Sequence, residues 1–541
     1  MKHYSLKLNQ CIAILTDIRG VTGNYPGITY TGVQFDSRAI KPGDIYIALK
    51  GISADGHNYI PNAIQAGACA VIGTNDMPTE LSVPYIQVAD PRLAMALASA
   101  ALYNFPANDM VIIGVTGTDG KTTTSTFLYQ ILVEAGLNAS MISTLSAIIN
   151  GKEIDTGFHV TTPESPDIQR YLAQMRDEGV THAVIEVTSH GLSQKRVAAI
   201  NFDIGVVTNI THEHIDYHKT KKDYFAAKGI LFEFLGRPGR KINPLAVLNY
   251  DDQPSYTFLD TLTHVNKVCY SASGEQEHAK VSLENMLTTT SGFKADVSFR
   301  DLPDHSSDRK IPVTSHLIGA YNSNNILAAM TAAVYGLNIS PETAAAGIAS
   351  VPAVSGRMEI IDYGQDFTAI VDFAHTPNAL SVALDSARAM LPGSPDAEGK
   401  KRVIAIYGSA GLRDREKRRM MPAVSAVKAD ITILTAEDPR TEPLNDILNE
   451  MAVEAQEHGA ILGQTLFIEP DRGNAIRKGL ALANPGDIVI SCGKGHEQSM
   501  CFETTEYLWD DRTAMRAALT EKLGIPGPEM PYLPTSESQP A

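Results

Sequence analysis

Residues 111–136 read VIIGVTGTDGKTTTSTFLYQILVEAG, and the fold turns on how this stretch is parsed. Val111–Val115 is a continuous apolar run, the pattern of a strand buried on both faces. A glycine-rich turn follows, and then an amphipathic segment of helical length. Strand, glycine turn and helix in that order open a nucleotide-binding α/β domain. Phosphate oxygens need convergent backbone N–H donors and close approach of the main chain, which Gly117 and Gly120 permit, flanked by Thr118 and Thr123. Lys121 adds a point charge, and Thr122 offers a hydroxyl to Mg²⁺. Val115 stands where the generic phosphate-loop pattern has its first glycine, so the loop is a variant of it.

Outward from this core, further strands are expected at Ala183–Val187, Ile204–Thr208 and Pro244–Leu248, and a helix at Asn322–Leu337. The polar, alternating stretch 270–310 reads as β-hairpin excursions rather than sheet core. Upstream, Ile45–Leu49 and Ala70–Gly73 read as strands, and Tyr59–Ala66 and Leu93–Tyr103 as helices. Downstream, strands at Thr368–Phe373, Arg402–Tyr407, Ile431–Thr435 and Asp487–Cys492 alternate with helical patterns, as in a mostly parallel sheet. The fold class is therefore α/β in three domains. A small N-terminal α/β domain spans 1–106, a central P-loop ATPase-like domain with a mostly parallel sheet spans 107–355, and a C-terminal Rossmann-like domain spans 356–525. The proline-rich tail 526–541 is expected to be disordered.

With 541 residues and 44% hydrophobic composition, each domain can bury a core. A formal charge of -16 argues against a protein that holds nucleic acid by neutralising its backbone. The five cysteines are scattered singly, fit no metal or disulfide spacing, and read as buried small residues in a reducing compartment. No apolar run is long enough for a membrane span, and the early apolar stretch Cys11–Leu15 is too short for a signal peptide, so a cytoplasmic location without membrane insertion is expected.

Glu186 ends the strand AVIEV beside His190, and THEHIDYH at 211–218 follows the strand GVVTN, at the strand ends where open α/β sheets bind ligands. Three histidines there are a weak suggestion of zinc; hard Mg²⁺ on one or two side chains and phosphates suits the loop better. GVTGTDGKTTT, IEVTSHGL, TNITHEHIDYH and the lysine of YFAAKGILF together resemble the Mur ligase family. Within it they are most similar to the ligases that extend UDP-N-acetylmuramoyl-L-alanyl-D-glutamate by one amino acid. The resemblance runs from Asp36 to Arg512 and implies an ATP- and Mg²⁺-dependent carboxylate–amine ligase of peptidoglycan synthesis, monomeric, whose three domains take the UDP end, ATP and the incoming amino acid.

That resemblance implies catalytic roles for Lys121, Glu186, His214 and Lys228, with Thr122, Glu186, His214 and Lys228 at the metal and Lys228 carbamylated. By its local sequence alone, Lys228 reads as an exposed helical lysine. On the nucleotide side the resemblance adds Asn322, Arg357, Asp372 and His375. For the sugar and its peptide stem it points to Ser37 and Arg38 in DSR, His57 in ADGH, Thr161 and Thr162 in TTPE, and to Ser189 and Arg196. Read locally, DSR is an N-cap followed by a surface arginine.

The third domain carries YGSAGLRDREKRRMM at 407–421, TAEDPRTE at 435–442 and CGKGHE at 492–497. Arg413 and Arg440 are suited to grip a substrate carboxylate, and Gly493 and Glu497 to hold a distal ammonium. The family motif for meso-diaminopimelate is Asp-Asn-Pro-Arg; here Arg440 is kept, which favours diaminopimelate, while Asp438 replaces the asparagine and adds negative charge. L-lysine, L-ornithine or another diamino acid stays open as substrate. So do a folate-type or D-alanyl-D-alanine-adding ligase of the same superfamily and, from a different class, a P-loop NTPase acting as a switch. The base that deprotonates the amine is left open between His214, His218 and a nearby acid.

Overall fold

In the computed structural model the described residues are 2–51, 54–76, 81–154, 161–211, 215–239, 241–274, 277–289, 292–391 and 401–536. Buried apolar strands organise three sheets. The first has five strands in the order Ile18–Thr22, Tyr85–Val88, Ala70–Gly73, Asp44–Ile47, Gly32–Gln34, all parallel except the first. Ala70–Gly73 and Asp44–Ile47 are buried at every position, as the continuous apolar runs require.

The central sheet has eleven strands, with Val111–Thr116 between His182–Glu186 and Ile204–Val207, all parallel. Leu245–Asn249 and Asn266–Ser271 continue it in parallel. Val281–Thr289, Gly292–Phe299 and Arg309–Ser315 then extend the same sheet as its antiparallel edge. This corrects the reading of 270–310 as excursions outside the core. The alternation is that of a half-buried edge: Val281, Phe293, Val297, Phe299 and Val313 point inward and share one core with Ile326 and Ala328 of the helix Asn322–Thr331. The expected helix to Leu337 ends instead in a π-helical turn over Ala332–Gly336.

The third sheet has six strands, with Thr368–Asp372, Ile488–Cys492, Val403–Tyr407, Ile431–Leu434 and Leu466–Ile468 parallel and Glu359–Ile361 antiparallel at one edge. Disorder of 526–541 is contradicted for its described part, 526–536. Leu533 is fully buried, and the hydroxyls of Thr535 and Ser536 each donate to the Asp471 carboxylate at 2.9 Å. Composition suggested a free tail, but the apolar residues Met530 and Leu533 pack it onto the domain. Among the described residues, no helix is long and apolar enough to cross a membrane.

Candidate functional site

The phosphate-loop turn sits at the carboxyl end of Val111–Thr116 and is clamped from the neighbouring strand end. The Thr118 amide donates to Asn209 O at 2.7 Å, and the Asp119 amide to Asn209 Oδ1 at 3.0 Å. Gly120 has φ +80, and a Cβ there would lie 2.1 Å from Asn325 Oδ1, so only glycine lets this side chain cross the loop. The helix Lys121–Glu134 starts with no side-chain cap, which leaves its first N–H groups and the positive end of its dipole to an anion. Lys121 Nζ donates back to Thr118 O at 2.9 Å, holding the ammonium at the turn.

Thr122 and Glu186, distant in sequence, meet: the Thr122 hydroxyl lies 3.1 Å from each Glu186 carboxylate oxygen. Glu186 is 1% exposed and also accepts from the Thr144 amide at 3.0 Å and the Thr144 hydroxyl at 2.9 Å. Lys228 is not the exposed helical lysine of its local sequence. It is 2% exposed, donates to Gly117 O and lies over the Tyr224 ring, 4.6 Å from its centre. His214, with His212, lies outside the described residues. No cluster of three metal-ligating side chains occurs among the described residues.

A cavity of about 280 Å³ opens beside the loop, between Gly120 and Thr123 on one wall and Arg357, Asp372 and Asn378 on the other. Asn378 Nδ2 reaches Asp119 Oδ2 at 3.3 Å across it, joining the second and third sheets' domains. Asp372 accepts from the Met358 amide at 2.7 Å and the Ala374 amide at 2.8 Å; burial raises its pKa, against the opposing pull of Arg357. Asn322 does not line this cavity. It is buried behind the wall, donates to Ile318 O at 2.7 Å and accepts from Asn325 Nδ2 at 3.0 Å, so Asn325 is the side chain presented.

A second cavity of about 370 Å³ is lined by Thr161, Thr162 and Arg196 of the central domain and by His375, Arg413, Glu437, Asp438, Arg440, Gly493 and Glu497 of the third. His375 therefore lies on this side rather than with Arg357 and Asp372. Phe373 also lines this second cavity, with the Arg357 guanidinium 4.5 Å and the His375 ring centre 4.4 Å from its ring centre. Arg196 donates to Thr162 O at 2.6 Å and pairs with Glu164 at 2.8 Å. Ser189 is 1% exposed, and its hydroxyl has no partner among the described residues.

Charge in the second cavity is set by a residue the sequence reading passed over. Lys494 is fully buried and pairs with Asp438 at 3.0 Å and with Glu497 at 2.5 Å. Burial works against its charge, yet these two carboxylates hold its pKa above the ordinary lysine value. The negative charge that Asp438 brings is thus met from below, and Asp438 also accepts the Cys501 amide at 2.9 Å. Glu437, at the same wall, has one carboxylate oxygen without a partner among the described residues. Burial pushes its pKa up to about 7, against the lowering influence of His375, Arg472 and Lys494. Gly493, at φ +111, leaves that carboxylate its room.

The N-terminal candidates fall elsewhere. Asp36 caps the turn Ser37–Ala39 and pairs with Arg38 at 2.7 Å, an arrangement matching the local reading of DSR as an N-cap with a surface arginine. His57 spends both ring nitrogens internally, Nδ1 at 2.6 Å from Asp55 and Nε2 accepting from the Thr74 amide at 3.0 Å. None of the three lines either cavity.

Residues 29–103 match the family description "Mur ligase family, catalytic domain", 115–333 "Mur ligase middle domain" and 356–495 "Mur ligase, glutamate ligase domain". A UDP-N-acetylmuramyl-tripeptide synthetase of Roseiflexus sp. is 39% identical over 92% of this chain and 95% of its own length. The chain belongs to the Mur ligase family. A UDP-N-acetylmuramoyl-L-alanyl-D-glutamate--2,6-diaminopimelate ligase of Geobacillus kaustophilus is 38% identical to this Mur ligase over 92% of the chain and 96% of its own length. A solved structure of a UDP-N-acetylmuramoyl-L-alanyl-D-glutamate--2,6-diaminopimelate ligase superposes with a TM-score of 0.62 at 25% identity, covering 96% of this chain and 99% of that one.

Mur ligases are ATP-dependent amide-forming enzymes that require Mg²⁺. In this one the hard oxygen donors of Thr122 and Glu186 suit Mg²⁺. Asn325 and Glu437 line the cavities, Thr144 holds Glu186 and Lys494 holds Asp438 and Glu497; the sequence alone does not single them out. A lysine between glycines in GKGHE, followed by an acid, was the one local signal for Lys494.

Proposed function

We propose that this Mur ligase phosphorylates the D-glutamate side-chain carboxylate of UDP-N-acetylmuramoyl-L-alanyl-D-glutamate with ATP and joins the acyl phosphate to a diamino acid, meso-diaminopimelate in the first instance. The observation that carries the reading is the Thr122–Glu186 pair at an uncapped helix N-terminus, with the adjacent Thr123 lining the first cavity and Thr162, whose hydroxyl donates to Glu186 O at 3.1 Å, lining the second. In this account the first cavity takes the nucleoside, the helix N-terminus and Lys121 take the phosphates, and Thr122 and Glu186 hold Mg²⁺. The metal would neutralise charge on the phosphates during transfer. His214 and Lys228 complete the catalytic group, with Lys228 carbamylated; ¹³C-bicarbonate labelling that yields no carbamate carbon signal refutes that part.

The second cavity takes both the acceptor carboxylate and the amine. Thr161, Thr162, Ser189 and Arg196 face the peptide stem, and Arg413 and Arg440 grip carboxylates of the incoming amino acid. Glu437 and Glu497 receive its ammonium groups. Lys494 shares its one charge between Asp438 and Glu497, so the acid at 438 is partly offset beside Arg440, which supports diaminopimelate over a mono-carboxylic diamine. Ser37 and Arg38 belong to the UDP-sugar end through the first domain's surface, and His57 serves it indirectly by holding the Asp55 turn to Thr74. We take the division of labour to follow 1–106, 107–355 and 356–525, with the enzyme monomeric and cytoplasmic, where ATP is made; light scattering tests the monomer.

The test is phosphate release from ATP and UDP-N-acetylmuramoyl-L-alanyl-D-glutamate across meso-diaminopimelate, L-lysine, L-ornithine and D-lysine, with product mass recorded. Release that needs both substrates, and is fastest with diaminopimelate, is expected. Preference for lysine or ornithine would reassign the amino acid, and release without either substrate would point to an NTPase.

A further inference from the structure

Beneath the floor of the second cavity lies an arginine that touches no cavity atom. Arg472 is the first residue of the helix Arg472–Leu482 and is fully buried. A cation at a helix N-terminus opposes the dipole, so the position needs strong compensation. Asp511 supplies it as a bidentate partner, 2.7 Å from Nε and 2.6 Å from Nη2, itself fixed by the Trp509 indole N–H at 2.8 Å and the Ser491 hydroxyl at 2.9 Å. Beyond Asp511, Nη1 donates to Ala436 O at 3.0 Å, and Nη2 donates to Cys492 O at 2.8 Å and to the Ser491 hydroxyl at 3.3 Å.

Those two carbonyls are the point of the arrangement. Ala436 directly precedes Glu437, Asp438 and Arg440; Cys492 directly precedes Gly493, Lys494 and Glu497. The strands they leave, Ile431–Leu434 and Ile488–Cys492, are not neighbours, since Val403–Tyr407 lies between them. No sheet hydrogen bond therefore sets the distance between the two segments that carry the cavity's acids. Two ties span the gap: the Lys494–Asp438 pair within the cavity wall and, at the base where the segments leave their strands, one planar guanidinium that reaches both carbonyls.

We propose that Arg472 is a positioning residue of the amino-acid subsite, fixing the separation of the Glu437–Arg440 and Gly493–Glu497 segments through their leading carbonyls. The inference rests on the reading of the second cavity given under the proposed function. Lysine at 472 keeps the charge but cannot form the planar fork that grips Asp511 while reaching two diverging carbonyls. A misplacement of about 1 Å at a reacting group costs on the order of 100-fold in rate. Loss of the charge has a separate signature, because Arg472 is among the groups that lower the Glu437 pKa.

Arg472→Lys, Arg472→Met and Asp511→Asn would be assayed in the full chain, with Trp509 fluorescence and circular dichroism checking the fold. For Arg472→Lys the KM of the amino acid is expected to rise at least about 10-fold, while the KM values of ATP and the UDP-substrate move less than about 3-fold. For Arg472→Met the acid limb of the amino-acid kcat/KM profile moves to higher pH. Asp511→Asn, which keeps the carbonyl contacts and weakens only their anchor, gives a smaller rise of the same kind and covers the case of a misfolded Arg472 variant. A folded Arg472→Lys whose amino-acid KM is unchanged, or whose three KM values rise together, overturns the inference alone. Wild-type enzyme with no amino-acid-dependent phosphate release overturns the parent reading and this inference with it.

Discussion

Replacing Lys494 by methionine removes a buried charge while keeping most of the side chain's length and volume. Lys494 serves Asp438 at 3.0 Å and Glu497 at 2.5 Å, with its own side chain 1% exposed and theirs 11% and 21%. At an effective dielectric of about 20, each contact represents roughly 5–7 kcal/mol of gross attraction, most of it offset by the cost of desolvating three charges. Taking away the shared partner strands two carboxylates near one another, which costs about 3–5 kcal/mol net. Trp509, the only tryptophan, is 2% exposed in the same domain, so urea unfolding followed by its fluorescence reads the loss where it occurs. Adding Asp438→Asn should recover part of it. A loss below about 1 kcal/mol would refute the claim that Lys494 compensates the two carboxylates.

Glu437→Gln is expected to trade stability against activity. With its pKa raised from the ordinary 4.5 to about 7, the folded glutamate keeps a proton that the unfolded chain has released between those values, so ionisation costs stability above pH 7. The glutamine variant should be more stable there by roughly 3 kcal/mol, equal to wild type near pH 4, and impaired in amino-acid KM; equal stability at pH 8 would contradict this. Thr122→Val keeps the branched shape but loses the hydroxyl on Glu186, so kcat should fall on the order of 100-fold while stability changes by about 1 kcal/mol, as Thr144 still serves Glu186. Unaltered kcat at low Mg²⁺ would remove Thr122 from the site. Deleting 526–541 should lower third-domain stability by about 2 kcal/mol, because Leu533 burial and two hydroxyl bonds to Asp471 go with it. An unchanged Trp509 unfolding midpoint would mean the tail adds nothing.

What could be read from the sequence was what repeats locally. Val111–Val115 and Ala70–Gly73 are unbroken runs without a polar side chain, and their strands fall within a residue of them; TGTDGK announces its turn by composition. Residues 270–310 were misjudged because an edge strand alternates like a hairpin, and only its neighbours decide whether one face is covered. The same reason hides Lys494 and Arg472. Each is one basic residue among 45, and its role is fixed by carboxylates and carbonyls far along the chain. His57 shows the converse: a histidine after Asp-Gly looks available, yet the Thr74 amide across the turn occupies its second nitrogen. Asn322 lies behind the two asparagines that line the cavity, Asn324 and Asn325, and GAYNSNN offers no local basis for choosing among the three.

The central claim is that a substrate carboxylate is phosphorylated before the amine attacks. It is tested most directly by supplying UDP-N-acetylmuramoyl-L-alanyl-D-glutamate with ¹⁸O in the D-glutamate side-chain carboxylate, adding ATP, Mg²⁺ and meso-diaminopimelate, and weighing the released phosphate. Carboxylate activation transfers one labelled oxygen to each phosphate, in step with amide formation. Phosphate that carries no label from a reaction that still forms amide would contradict the acyl-phosphate route.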